Sequence, residues 1–415
     1  MLGQQIGILA LAVASGLLGA ASARADSVVD WGYNDGGVLG NGTTGGISSV
    51  PVAVSGLSSG VTAIAGGYGQ SLAIRNGGIY AWGWNGYGQL GDGTFNNSSV
   101  PVAVSGLSSG VTAIAGGGGH SLAIQNGSAY AWGYNGDGEL GNGTTGGISS
   151  VPVAVSGLSS GVTAIAGGGG HSVAIQNGGV CAWGFNEYGQ LGNGTTNNSS
   201  APSAVSGLSS GVTVIAAGDY HSLAIQNGGA YAWGYNCFGQ LGNGTTTNSS
   251  LPVVVAGLSS GVTAVAGGYG QSLAIQNGGV YAWGLNGEGE LGDGTHNNQL
   301  VPERIDPADL KNIIAVAAGV YSSYALASDG TIWDWGFNPD GALGLGNTNE
   351  YYFTPQHLMP PSGYEFTAIS ANADGALALL SLAVPEPASL SLLGVAAAGL
   401  MAHRRRGRNR VAARR

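Results

Sequence analysis

The chain has 415 residues, of which 81 are Gly, 43% are hydrophobic and 8% are charged. This composition is far from the charge-rich profile of disordered proteins, so we expect a buried core. Between Asp26 and Val384 there are 20 Asp and Glu against three basic residues, a formal charge of −17. We expect no nucleic-acid partner, because phosphate binding requires Lys and Arg that release counterions.

An apolar run over residues 6–18 opens the chain and is followed by small residues. The run is too short to span a bilayer, and this order is typical of a secretory signal peptide cleaved after Ala25 or, as second choice, Ala23. No Lys or Arg precedes the run, so only the amino terminus supplies positive charge there. We predict a signal peptide over residues 1–25 rather than a buried helix, since the sequence after Asp26 lacks helical periodicity.

A Trp-Gly pair then recurs at intervals of 50 to 52 residues through the chain. A fixed period of this length indicates one supersecondary unit that buries its apolar face only against neighbouring copies. Residues 26–383 are therefore expected to form one repeat domain, although the length alone would suggest two or three domains. The repeated tryptophans are Trp31, Trp82, Trp132, Trp183, Trp233, Trp283 and Trp335.

The copy that begins at Val61 shows the parts of the unit. Val61–Ala65, Ser71–Ile74 and Ile79–Trp82 have the alternation of short strands, and Asn76-Gly77 suits a two-residue hairpin turn. After a long loop, Pro101–Val104 is predicted as a fourth, outer strand opened by a proline that has no N–H to donate. Four antiparallel strands of this kind form one propeller blade.

The two ends of the array are predicted to share a blade. Val28–Gly32 is a Trp-bearing strand without the two strands that should precede it, and Phe366–Ile369 and Ala376–Leu379 supply them. With six complete copies between, the sequence predicts an all-β, seven-bladed propeller of four-stranded antiparallel blades. One blade is composed from both termini, which removes free sheet edges.

The repeated motif resembles that of a known family. Gly-x-x-His-Ser-Leu-Ala-Ile, then Gly-x-Tyr-Ala-Trp-Gly-x-Asn-x-x-Gly-Gln-Leu-Gly-x-Gly, then Pro-Val, is similar to the repeat of the regulator of chromosome condensation family. The resemblance covers Val28 to about Leu382, and it implies a seven-bladed propeller with a blade shared between termini. WD-type blades are shorter and lack the Gly-Gln-Leu-Gly loop. Exchange activity on a small GTPase, the best-known activity of the family, is not expected of an exported chain.

Residues 384–415 form a distinct tail. A Pro-Glu-Pro tripeptide is followed by an apolar span over 388–402 and by seven of the eleven basic residues. This order resembles the PEP-CTERM sorting tail of exopolysaccharide-producing Gram-negative bacteria. It implies transient holding at the inner membrane, recognition by an exosortase-type processing enzyme, and release to the cell surface or extracellular matrix. The alternative is a simple C-terminal anchor. The residues expected to direct processing are Pro385, Glu386, Pro387, Arg404, Arg405 and Arg406.

Three histidines, His120, His171 and His221, occupy one slot in consecutive copies and raise the possibility of a metal site. The His-Ser pair belongs to the repeat motif, however, so a hydrogen-bonding role is favoured. No nucleophile, base or phosphate-cradling motif recurs at a recognisable spacing. We therefore expect no enzyme activity, no cofactor and no metal.

Two other patterns are weaker. The acids of Asn135-x-Asp137-x-Glu139 and Asn286-x-Glu288-x-Glu290 faintly suggest a calcium loop, but the other copies lack them, and turn chemistry is favoured. Cys181 and Cys237 stand in unlike slots of different copies, which favours a packing role over a disulfide.

The turn after the first strand varies from copy to copy, whereas the frame repeats almost letter for letter. Loops that vary on a rigid scaffold are typical of a binding rim, although drift of surface positions is equally compatible. The interpretation is an exported binding module with a protein or polysaccharide ligand. Alternatives are a secreted inhibitor that docks through the rim and a carbohydrate-active enzyme, for which paired carboxylates across a pocket would be the sign. The candidate rim residues are Tyr68, Gln70, His120, His171, Asp219, Tyr220, His221, Tyr269, Gln271 and Tyr321.

Overall fold

The computed structural model describes residues 26–305 and 310–383, which form seven four-stranded antiparallel sheets. The prediction of an all-β, seven-bladed propeller is confirmed. In each blade the first strand lines a central channel and the fourth strand lies outermost. One short 3-10 segment, Asp35–Gly37, interrupts the β structure, and no helix within 26–305 and 310–383 has the length and hydropathy to cross a membrane. The proposed signal peptide and sorting tail lie outside the described residues.

The strands are numbered in chain order. Blade 1 contains β3 (Val61–Gly66), β4 (Gln70–Arg75), β5 (Gly78–Gly83) and β6 (Ser98–Ala103), and blade 2 contains β7 (Val111–Gly116), β8 (His120–Gln125), β9 (Ser128–Tyr134) and β10 (Ile148–Ala154). Blade 3 contains β11 (Val162–Gly167), β12 (His171–Gln176), β13 (Gly179–Gly184) and β14 (Ser199–Ala204), and blade 4 contains β15 (Val212–Ala217), β16 (His221–Gln226), β17 (Gly229–Gly234) and β18 (Ser249–Val254). Blade 5 contains β19 (Val262–Gly267), β20 (Gln271–Gln276), β21 (Gly279–Gly284) and β22 (Gln299–Ile305), and blade 6 contains β23 (Ile313–Ala318), β24 (Ser322–Ala327), β25 (Ile332–Phe337) and β26 (Tyr351–Leu358). Blade 7 contains β27 (Tyr364–Asn372), β28 (Gly375–Leu382), β1 (Ser27–Tyr33) and β2 (Ile47–Ala53).

Blade 7 is built from both ends of the described chain, as predicted. Its strands lie in the order β27, β28, β1, β2 from the axis outward. β1 pairs antiparallel with β28, so that Val29 lies opposite Ala378 and Trp31 opposite Ala376. The ring is therefore closed by a backbone ladder between the first and last strands.

Within a blade, the predicted hairpin turn is confirmed. Asn76 and Gly77 both have positive φ, 52° and 77°, which is the conformation that a two-residue turn of this type needs. The fourth strand differs from the prediction, because β6 begins at Ser98, three residues before Pro101. The ladder shifts register between Ala81 and Gly83, and Pro101 lies in the bulge opposite, where no N–H is required.

The core consists of seven clusters, each formed between adjacent blades. Each cluster contains one completely buried repeat tryptophan from the following blade. Each indole N–H donates to a backbone oxygen in the long loop of the preceding blade, as Trp183 does to Glu139 O at 2.8 Å. The clusters lie between Val28 and Leu380, and the compact unit ends at Ser381. The propeller therefore contains its own core and is expected to fold without the tail.

The long loop is held by its own repeated residues. The Asn186 Oδ1 atom accepts a hydrogen bond from the Leu191 N–H at 2.9 Å, and the same bond recurs in all seven blades. The following Gly192 has a φ of +65°, and a Cβ there would lie 2.7 Å from the Trp233 ring nitrogen. This close approach explains why the Gly-Gln-Leu-Gly loop ends in glycine.

A buried carboxyl in blade 6 departs from the repeat. Asp334 occupies a slot that holds Ala in blades 1 to 5, it is 0% exposed, and neither carboxyl oxygen has a hydrogen-bond partner among the described residues. Burial raises the pKa of Asp334 well above its usual value. The folded protein therefore holds a proton that the unfolded chain releases above about pH 4.

We expect Asp334→Ala to raise the free energy of unfolding of the propeller by about 1–3 kcal/mol, because it removes an unpaired buried polar group. The gain should be larger at pH values at which the buried carboxyl would have to ionise. The gain should be smallest near pH 4 and should grow as the pH rises, because ionisation of Asp334 favours the unfolded chain. Thermal unfolding of both proteins at pH 4.5 and pH 8 measures this. Asp329→Asn, an exposed change of equal charge, is the control and should have little effect. A loss of stability at pH 8 would contradict the prediction.

Candidate binding face

The turns between first and second strands and the loops between third and fourth strands lie at one end of the propeller, because the strands alternate in direction. We call this end the turn face. The opposite end carries the Asn-Gly hairpins and the connections between blades. The ten candidate rim residues of the sequence all belong to turns or strand ends at the turn face, but the structure divides them into two groups.

Five of the ten side chains are buried between blades rather than displayed at the rim. They start the second strand of their blade, where the side chain points toward the neighbouring blade. The Gln70 amide nitrogen donates to Gly117 O and His120 O, both at 3.1 Å, and Gln271 makes the equivalent bonds to the next blade. The group, each 0% exposed, is Gln70, His120, His171, His221 and Gln271.

The buried histidines have the hydrogen-bonding role that the motif suggested. His171 Nε2 lies 2.8 Å from Ser222 Oγ, and Ser222 donates its own proton to Gln190 O at 2.9 Å. Since the serine proton is used, Nε2 must carry the hydrogen and donate it. Burial lowers the pKa of His171 to about 3, so the ring is neutral at physiological pH. His120 and His221 make the same contacts with Ser172 and Ser272.

The chain itself supplies a test of this role, because Gln fills the histidine slot in blades 1 and 5. We expect His171→Ala to cost about 1–3 kcal/mol of unfolding free energy, since it leaves buried groups unpaired and opens space. His171→Gln should cost less, because Gln70 and Gln271 bridge blades from the same slot. Chemical denaturation of the three proteins checks the order. Equal losses for the two variants would show that the bridging bond does not matter.

The other five candidates lie on the turn face: Tyr68, Asp219, Tyr220, Tyr269 and Tyr321. The Tyr68 hydroxyl, from blade 1, donates to the Asp219 carboxylate of blade 4 across the channel opening. Burial raises the pKa of Asp219 to about 7. This pair narrows the opening of the central channel, and Tyr68 itself remains 42% exposed.

Tyr220, Tyr269 and Tyr321 are members of a larger aromatic surface. Ten rings from blades 3 to 6 form a continuous chain on the turn face, with neighbouring ring centroids 4.7–6.4 Å apart. Nine of the ten rings are half-buried, and Tyr351 is 38% exposed. We call this surface the aromatic arc, and its members are Phe185, Tyr188, Tyr220, Tyr235, Phe238, Tyr269, Tyr321, Phe337, Tyr351 and Phe353. A smaller group, Trp84, Tyr87 and Tyr134, lies on blades 1 and 2.

Acidic pairs occupy the loops that lack an aromatic ring. One loop position holds Tyr87, Tyr188 and Phe238 in blades 1, 3 and 4, but Asp137 in blade 2 and Glu288 in blade 5. Two residues later, Gln in blades 1, 3 and 4 is replaced by Glu139 and Glu290. Carboxylate pairs therefore lie in blades 2 and 5, whereas the loops of blades 1, 3 and 4 carry aromatic rings.

The inner member of each pair has the turn role that was favoured over calcium binding. Glu139 accepts from the Asp137 N–H at 2.9 Å, and Glu290 from the Glu288 N–H at 2.8 Å. Burial raises the pKa of both Glu139 and Glu290 to about 7. No group of three or more potential metal ligands occurs in the part of the chain that the structure describes.

The charges of these carboxylates raise the pKa values of nearby tyrosines on the turn face. Burial and then the charges of Glu139 and Asp137 raise the pKa of Tyr134. The charge of Glu288 is the main cause of the raised pKa of Tyr351. Aromatic and acidic side chains thus form one mixed surface.

The basic residues of the described chain lie elsewhere. Arg75 ends β4 at the hairpin end, Arg304 lies in the outer strand β22, and Lys311 is in the connection before β23. None belongs to a turn or loop of the turn face. The acidic residues of those turns and loops are Asp35, Asp92, Asp137, Glu139, Glu187, Asp219, Glu288, Glu290, Asp293, Asp340, Glu350 and Asp374.

Both cysteines are free. Cys181 is half-buried and contacts Ala174 O at 3.7 Å, and burial raises the pKa of its thiol to about 11. Cys237 is exposed in the loop after β17. The structure thus places Cys181 in the packing role that the sequence suggested.

The architecture defines a closed, seven-bladed β-propeller with one chemically distinct end. The family model of the RCC1-like domain matches residues 27–378, and the chain belongs to this family. The resemblance inferred from the repeat motif is thereby confirmed. A second family model, the PEP-CTERM protein-sorting motif, matches residues 383–406 and indicates export with surface-associated sorting.

Solved structures of low sequence identity share the fold. Human WBSCR16 is 24% identical with a TM-score of 0.77, and the match covers 87% of this chain and 100% of that one. Prp20p from Saccharomyces cerevisiae is 22% identical with a TM-score of 0.77 and coverages of 88% and 93%. Yeast RCC1 (Prp20) bound to Kap60 is also 22% identical, with a TM-score of 0.76 and coverages of 87% and 90%.

Proposed function

We propose that this protein is an exported propeller that acts at the cell surface or in the extracellular matrix as a binding module. An exosortase-type enzyme releases it from transient inner-membrane anchoring by acting on its tail. The sorting motif over residues 383–406 supports the route. The observation that carries the binding role is the aromatic arc, since ten partly exposed rings on one end of a rigid scaffold form a surface that soluble proteins seldom leave without a partner.

The chemistry of the turn face supports binding rather than catalysis. One carboxyl oxygen of Glu139 and one of Glu290 each accept a hydrogen bond from a backbone N–H of their own loop. The three histidines of the sequence motif are buried and neutral, and they serve contacts between blades. Aromatic rings on loops held by seven packed sheets provide contact area with little entropy to lose on binding.

A capture experiment with a matched variant tests the binding role. The propeller body, residues 26–383, is immobilised and exposed both to a glycan array and to surface extracts of the producing cells. Tyr235→Leu is the comparison, because Leu285 fills the same slot in blade 5 and the fold should tolerate it. We expect the wild-type body to retain a partner and the Tyr235→Leu body to retain at least about tenfold less of it. A tenfold loss corresponds to the removal of one large aromatic contact. Equal retention by both proteins, or none by either, would contradict the proposal.

A further inference from the structure

We propose that the turn face binds a protein segment rich in Arg and Lys, whose cationic side chains lie against the rings of the aromatic arc and pair with the flanking carboxylates. This inference rests on the proposed binding function and names the chemistry of the partner. It follows from the charge of the face, the geometry of its rings and the placement of its acidic pairs.

Charge complementarity is the first reason. Every described Lys and Arg lies outside the turns and loops of the turn face, whereas acidic residues occur in the loops or turns of every blade. Such a surface attracts a polycation at long range and repels an acidic polysaccharide or a nucleic acid. The charge of this end is therefore a property of its own loops and not only of the acidic body.

Ring geometry is the second reason. The six central rings of the arc, from Phe185 to Tyr269, meet at interplanar angles of 43–86°. Rings tilted against each other do not form the flat platform on which an extended sugar chain would stack. They form short walls of half-buried rings, and a guanidinium or ammonium group within about 6 Å of a ring face is attracted by the ring quadrupole.

The placement of the carboxylates is the third reason. Burial is the main cause of the raised pKa of Tyr321, and the charges of Glu290 and Glu288 add to it. The charge of Glu288 is the main cause of the raised pKa of Tyr351. Glu290 is only 1% exposed, and its Oε1 atom has no hydrogen-bond partner among the described residues. This unsatisfied group lies two residues from Glu288, which is half-exposed on the turn face. An arginine side chain supplies both a planar cation for the rings and N–H groups for a carboxylate of such a pair.

The repeat provides conservative variants. Gln89, Gln190 and Gln240 stand in the slot of Glu139 and Glu290 and accept the same bond from the residue two before, at 3.0–3.1 Å. Glu139→Gln with Glu290→Gln therefore keeps the turn, and at pH 8, above the pKa of about 7 of both groups, it removes two charges. Glu303→Gln with Asp329→Asn removes two charges at exposed positions away from the turn face and is the matched control.

The probe is a fluorescent 12-residue peptide in which Arg alternates with Gly and Ser, compared with the same peptide carrying uncharged citrulline. Anisotropy titrations at pH 8 with the propeller body should show tighter binding of the Arg peptide, weakening with salt. We expect the Glu139→Gln, Glu290→Gln protein to bind it at least about tenfold more weakly, and the control protein to change by less than about twofold. Tyr235→Leu should also weaken binding. Thermal unfolding confirms that each variant is folded.

Two results would overturn the inference. One is equal binding of the Arg and citrulline peptides by the wild-type body. The other is an equal loss of affinity for the Arg peptide in the face variant and the control variant, which would show that net charge alone explains the binding. If a neutral β-glucan oligosaccharide binds instead and Tyr235→Leu removes that binding, the face is a glycan site: the inference fails and the proposed binding function stands. If the capture experiment also yields nothing, both fail.

Discussion

Deletion of residues 364–382 is expected to abolish cooperative unfolding of the propeller. The deletion removes β27 and β28, so β1 loses its ladder to β28 and blade 7 keeps only its two outer strands. Val28 and Trp31 would lose core partners such as Leu377 and Ala376. The lost contacts are comparable to the whole stability of an ordinary domain, about 5–15 kcal/mol, and the opened ring exposes sheet edges that invite aggregation.

Calorimetry and size-exclusion chromatography measure this effect. A protein truncated after Ala383, which keeps all four strands of blade 7, is the control and should unfold in one cooperative transition as a monomer. A deletion variant that is compact, monomeric and melts at the temperature of the control would show that blade 7 does not close the ring.

Replacement of Pro385, Glu386 and Pro387 by Ala is expected to trap the protein in the inner membrane. If the Pro-Glu-Pro motif marks the processing site, the Arg cluster stays at the cytoplasmic side and the propeller remains tethered in the periplasm. The surface-associated fraction should then fall from most of the protein to nearly none.

Fractionation followed by immunoblotting measures the distribution. Replacement of Pro360 and Pro361, which lie between β26 and β27, also removes prolines but leaves the motif intact, and it should not change sorting. Unchanged melting of the propeller body in the motif variant separates a sorting defect from misfolding. Normal surface delivery of the motif variant would show that the Pro-Glu-Pro motif does not direct processing.

The blades could be predicted because their signals are local. The Trp period, the Asn-Gly turns and the alternation of Val61–Gly66 each depend on residues close in sequence. The shared blade followed from matching Phe366–Ile369 and Ala376–Leu379 to the first two strands of the other copies. The start of β6 does not follow from the sequence, because a proline without an N–H is expected to open a strand, whereas here a bulge accommodates it inside β6.

The candidate site was predicted only in part, since side-chain direction depends on how blades pack. Gln70 and His171 follow the variable turns by one or two residues, yet they point between blades and bond to the neighbouring blade. The aromatic arc joins residues about fifty positions apart, which become neighbours only when blades lie side by side. A signal was present in the slot after Trp-Gly, which holds Trp84, Phe185 and Tyr235 among others. Comparison of that slot across the repeats would have identified it.

Intact mass spectrometry of the native protein extracted from the cell surface decides whether the propeller is exported and released from its tail. The predicted species begins near Asp26, after removal of the signal peptide, and ends near Pro387, without the apolar span and the Arg cluster. A surface species whose mass requires a C-terminus at Arg415 would contradict release by processing and would leave the protein as an anchored propeller.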